Sequence, residues 1–151
     1  MRVEEIEEKT IYGIKTRTKN SDEMNPERAK IGALWQKFDN TVSVNYKDGE
    51  RVYGVYYNYE SDANAAFDVL AGYDTPNENL ETIKIEKGKY LVFGKTFEET
   101  DDNTRVQAII GTWGKIWTYF SNENSQYKRA YKTDFEYYKG LHEIEIYISI
   151  K

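Results

Sequence analysis

The 151-residue chain has a formal charge of −5 and no cysteine, which excludes disulfides, thiolate metal sites and a basic face for DNA or RNA. No apolar run approaches a membrane span and the opening MRVEEIEEK lacks a signal-type apolar core, so a soluble cytoplasmic protein of one domain, residues 1–151, is expected. Fourteen Tyr, six Phe and three Trp are the outlier, and amphipathic rings in that number predict a surface that is wet on one side.

Residues 3–18 read as a strand in a charged setting, with Ile6, Ile11, Tyr12 and Ile14 as its apolar positions. The break NSDEMNPE offers Asn25 as N-cap and Pro26 as first helical residue, where its missing N–H costs nothing. A helix follows with Ile31, Leu34, Trp35 and Phe38 at i, i+3, i+4 and i+7. Lys47-Asp48-Gly49-Glu50 is a turn; residues 53–60 and 65–74 then form a strand pair by aromatic and β-branched content. Beyond Pro76 the order recurs. Residues 82–97 are strand-rich, EETDDN leads into a helix over about 104–120 capped at Asp101-Asp102, and two strands close the chain. Gly13, Gly54, Gly72, Gly88 and Gly94 lie in or beside strands, which suggests bulges or close backbone approach.

Laying residues 31–38 on 113–120 superposes Gly32, Trp35 and Phe38 on Gly114, Trp117 and Phe120, and the same offset carries Tyr53–Tyr56 onto Phe135–Tyr138. Upstream, Glu8-Lys9 and Tyr12 match Glu86-Lys87 and Tyr90 at a slightly shorter offset. The predicted architecture is α+β, a tandem βαββ repeat over about 1–76 and 77–151. A pseudo-two-fold would put both helices on one side of antiparallel strands, with a ligand groove between the halves.

The last eighteen residues carry the candidate chemistry. Ile144, Ile146, Ile148 and Ile150 alternate with Glu143, Glu145, Tyr147 and Ser149, the period of a strand with one face in apolar contacts. Glu136 and Tyr138 share a face on the strand before it. Paired as a hairpin, Glu136, Tyr138, Glu145 and Tyr147 would line one patch of carboxylates and rings, suited to a greasy cation. The plainer alternative is a half-buried strand with its acids in water. His142, the lone histidine, makes neither a triad nor a metal site, and no phosphate loop or dinucleotide fingerprint occurs, so no cofactor or metal is expected.

The motifs YGVYYNYESD, GKYLVFGKTF, TWGKIW, RAYKTDFEYY and EIEIYISI, with the first helix, span nearly the whole chain. In order and spacing the chain resembles the effector-binding domains of the AraC-type and GyrI-like superfamily, closest to the stand-alone branch found in integron cassettes. Ser149 departs from it, since many relatives have Pro there. The resemblance implies a binding protein for cationic, amphipathic small molecules, a sensor or sequestering protein related to transcription regulation. It makes Glu136 of the DFE motif the ligand-facing acid, supported by Glu145 and Tyr147, with Trp35, Tyr56, Trp113 and Trp117 walling the groove. No direct contact with nucleic acid or membrane is implied. Two alternatives stay open: a hydrolase using Glu136 and Glu145 as an acid/base pair, or a protein–protein module of the gyrase-inhibitor kind.

Overall fold

The computed structural model describes all residues, Met1–Lys151. In chain order the elements are β1 (Arg2–Ile6), β2 (Lys9–Thr18), α1 (Asn20–Glu23), α2 (Ile31–Thr41), β3 (Val52–Tyr57), β4 (Phe67–Tyr73), β5 (Glu81–Ile85), β6 (Gly88–Thr96), α3 (Asp102–Ser121), β7 (Asp134–Gly140) and β8 (Glu143–Ser149). The strands make one antiparallel sheet in the order β1-β6-β8-β7-β3-β4-β2-β5.

Two expectations about the first third are corrected. Residues 3–18 are two strands, broken at Glu7-Glu8, and β1 crosses to the far edge to pair with β6. Asn25 and Pro26 form a turn rather than a helix start. The long first-half helix begins at Ile31, and its free N–H groups are met from a distance: the Glu23 carboxylate, on short α1, accepts from the backbone N–H of Lys30 and Ile31. At α3 the Asp101 side chain accepts from the Thr104 N–H at 2.9 Å, as the sequence predicts.

Three apolar clusters hold the layers. Leu34 and Phe38 of α2 pack on Val52, Val69, Ala71 and Tyr73, and Ile116 of α3 packs on Leu91, Phe93, Ile146, Ile148 and Ile150. The alternating isoleucines of β8 therefore turn to the helix. On the opposite face Ile11, Val55, Leu70, Ile85, Val92, Phe135 and Tyr147, one from each of seven strands, meet in a single cluster, which requires the sheet to curl on itself. At Gly13 and Gly72, opposed in the β2–β4 register, an added Cβ would sit 2.1 Å from the Ala71 carbonyl and 2.5 Å from that of Tyr12. Close approach between strands is what these two glycines permit.

The central pair is β3–β7, with Gly54 opposite Glu136. Those residues also coincide when the two halves are aligned, so a pseudo-two-fold axis passes between them. About this axis the helices align one turn away from the sequence alignment. Buried Leu34 and Phe38 correspond to buried Thr112 and Ile116, and Trp35 to Trp113 rather than to Trp117.

Candidate functional site

Strand alternation turns Val52, Gly54 and Tyr56 of β3, with Asp134, Glu136 and Tyr138 of β7, toward the helices. Glu136 lies at the centre, 3% exposed. One carboxylate oxygen, Oε2, accepts from the Tyr56 hydroxyl and the Trp113 indole N–H, each at 2.8 Å; Oε1 accepts from the Tyr138 hydroxyl at 3.0 Å. Trp35 meets Tyr138 edge-on at 5.5 Å between centroids, and Trp113 meets Tyr56 in the same manner at 5.2 Å. The aromatic pairs are related by the pseudo-two-fold, and one acid on the axis serves both. Its room comes from Gly54, where a Cβ would stand 2.8 Å from Oε1 and 3.0 Å from the Trp35 ring.

Every donor to Glu136 is neutral. Burial pushes its pKa above the usual carboxylate range, and the bonds from Trp113, Tyr56 and Tyr138 oppose that shift without cancelling it. Burial also raises Tyr56 and Tyr138 well above an ordinary phenol, helped by the nearby acid, so both stay protonated as donors. The other buried acids each hold an arginine. Asp134 meets Arg129 at 2.6 Å, Asp68 meets Arg17 at 3.1 Å and Glu145 meets Arg2 at 2.8 Å. Glu136 alone among the buried acids has no cationic side chain within ion-pair distance.

The predicted patch is thus divided. Glu136, Tyr138, Tyr56, Trp35 and Trp113 come together, whereas Glu145 and Tyr147 lie on the opposite face of the sheet. The cause is a bulge. Gly140 opposes Glu143 at the turn, and a continuous ladder would set Glu136 against Tyr147; a register shift between Tyr137 and Gly140 sets it against Ile146. Glu145 instead accepts from Tyr147 and pairs with Arg2 and, more distantly, Lys139, while the Tyr147 ring stacks on Phe135 at 4.5 Å. Glu136 and Glu145 consequently form no acid/base pair. Trp117 is 42% exposed and touches the site only through Trp113, at 6.1 Å between rings. The residue that residue-by-residue reading underrated is Gly54; its signal was a glycine inside a strand pattern, a mark of close approach.

The eight-stranded antiparallel sheet with its two long helices is the fold of an effector-binding domain. Within that class the chain belongs to the integron-associated effector binding proteins, whose family signature matches residues 2–150. It is similar to the integron cassette protein VCH_CASS2 of Vibrio cholerae, with 41% identity over 99% of this chain and 95% of that one, and a TM-score of 0.87. Two further structures share the fold. SAV2435, determined bound to tetraphenylphosphonium, has 16% identity and a TM-score of 0.68 over 99% of this chain and 93% of that one. A transcription regulation protein from Staphylococcus aureus MU50, described as putative, has 15% identity and a TM-score of 0.70 over 99% and 97%. No curated protein matches the chain.

Proposed function

We propose that the chain is a receptor for lipophilic organic cations, a non-catalytic effector-binding protein whose ligand sets its positive charge against Glu136 between Trp35 and Trp113. The observation that carries this is the pairing pattern of the buried acids: Asp68, Asp134 and Glu145 each have an arginine, and Glu136 has only neutral donors. A buried carboxylate without a counter-charge is unfavourable, and a bound cation relieves it. At an effective dielectric near 20 a unit charge about 4 Å away contributes roughly 4 kcal/mol. Aromatic faces add about 0.5–2 kcal/mol each, and rings in several orientations tolerate different ligand shapes. The tetraphenylphosphonium of SAV2435, a lipophilic cation on the same fold, supports this choice of ligand.

The test is calorimetry with a lipophilic cation and its neutral isostere. Glu136→Gln preserves size and the acceptor that Tyr56 and Trp113 use, places a donor NH2 toward the Tyr138 hydroxyl, which can turn to accept, and removes the charge. The variant is expected to fold normally and to lose between about tenfold and a thousandfold in cation affinity, corresponding to about 1.4–4 kcal/mol, with the neutral isostere unaffected. Equal cation affinity in the two proteins would remove Glu136 as the counter-ion.

A further inference from the structure

The helix α3 carries an apolar stripe that its core packing uses at one position only, Trp113. Val106, Ile110, Trp113 and Trp117 recur at i, i+4, i+7 and i+11 and so fall on one line along the helix. The core-facing residues are Ala108, Thr112 and Ile116, on a different face. Val106 and Ile110 are 48% and 56% exposed, and Trp117 is the third exposed member. The stripe is continuous with the acid: Trp117 leans on Trp113, whose indole N–H is bonded to Glu136.

The other helix shows that fold geometry does not demand this. On α2, the positions that correspond to Ile110, Trp113 and Trp117 are Gly32, Trp35 and Asp39. The aromatic beside the acid is present in both helices; the exposed apolar flank occurs only on α3. It runs about 16 Å from Val106 to Trp117, at 1.5 Å per residue, and Trp113 sits about two-thirds of the way along.

Building on the cation-receptor reading, we infer that the exposed stripe of α3 is a second subsite, which takes the apolar arm of a ligand whose cationic head is at Glu136. The favoured ligand class is therefore elongated: one cationic centre with a single long alkyl or aryl arm, lying along α3 toward Ile110 and Val106. The occupant is the arm of that ligand because the stripe runs through the ring that touches the acid, Trp113. An apolar surface used for self-association has no need of that connection.

The experiment is a series of alkyltrimethylammonium ions, ethyl through butyl and hexyl to octyl, titrated calorimetrically against the wild-type chain, Ile110→Ser and Val106→Ser/Ile110→Ser. Both positions are exposed, so folding is retained and is checked by circular dichroism. Burial of a methylene is worth up to about fourfold in affinity, and roughly twofold on a one-sided surface. Affinity is expected to climb by two- to fourfold per methylene in the wild type. The climb should flatten in the serine variants, whose affinity for the ethyl compound is unchanged. A series that binds in a Glu136-dependent manner with no dependence on arm length, or one whose dependence survives in the double variant, overturns the second subsite while leaving the cation reading intact. Sedimentation that shows the wild type self-associating, with the serine variants monomeric and equal in affinity, assigns the stripe to a subunit contact and also overturns it. Failure of every member to bind, with or without Glu136, removes the underlying reading and the subsite with it.

Discussion

Glu136 carries the proposed cation reading, and its protonation supplies a test that geometry alone does not. Burial raises its pKa over that of the unfolded chain. Between those two values the folded chain holds a proton that the unfolded chain has released, so stability falls as pH rises through the window. Below the unfolded value this penalty is absent. On the proposed cation-receptor reading, binding has the opposite sign, because the ligand needs the ionised form: affinity is expected to weaken as pH drops through the raised pKa, by up to tenfold per pH unit. Trp113 lies against the acid, so a quaternary-ammonium dye can be titrated by Trp fluorescence between neutral and mildly acidic pH. The expected profile declines toward acid in the wild type and is flat in Glu136→Gln. A flat wild-type profile in a folded protein would mean that Glu136 is already ionised or does not touch the cation. That Glu136 stands apart from the other acids was legible only through the family resemblance that the DFE motif carries. Its lack of a cationic partner was not, because Arg2, Arg17 and Arg129 reach the other acids from 143, 51 and 5 residues away.

At the scale of elements, periodicity was readable and register was not. The isoleucines of β8 alternate and are buried as the pattern predicts. Whether Glu145 or Ile146 faces the same way as Glu136 depends on a single-residue shift in the β7–β8 ladder, and such a slip reverses every side chain beyond it. Alternation within each strand carries no trace of that shift. The helix alignment failed for a related reason: residues four apart share a helix face, so a one-turn slip from Trp113 to Trp117 preserves the apolar stripe. The strand pair β3–β7 gives the element-scale prediction. A Cβ at Gly54 collides with Glu136 and Trp35, neither of which is free to retreat. The acid is held by three hydrogen bonds, and Trp35 is wedged between Phe38 and Tyr138. Gly54→Ala is expected to lose about 1–3 kcal/mol, the usual cost of overpacking. Urea unfolding should show a lower midpoint at an unchanged slope. An unchanged midpoint would mean that the space above Gly54 is not closed by these side chains.

The whole molecule is tied together by exchange at its edges. β1, from the first half of the chain, pairs with β6 of the second, and β5 of the second half pairs with β2 of the first. Arg2 reaches across β6 to Glu145 on β8, and the central β3–β7 ladder joins the halves again. The tandem order was readable in the sequence, but this exchange was hidden because only Glu7 and Glu8, with neither Gly nor Pro, mark the break before β2. The inner cluster draws residues from seven strands of both halves, so neither half can bury its apolar face without the other. The site has the same dependence: one helix supplies Trp35, the other Trp113, and the acid stands on the axis between them. Unfolding should therefore be one cooperative transition, with equal calorimetric and van't Hoff enthalpies and coincident loss of far-UV signal and tryptophan environment. On the proposed reading, a saturating lipophilic cation should shift this single transition upward by mass action, and should not split it, because the candidate site draws on both halves. Two resolved transitions, or a ligand that stabilises only one of them, would show that the exchanged strands do not couple the halves and that the site is assembled by one half alone.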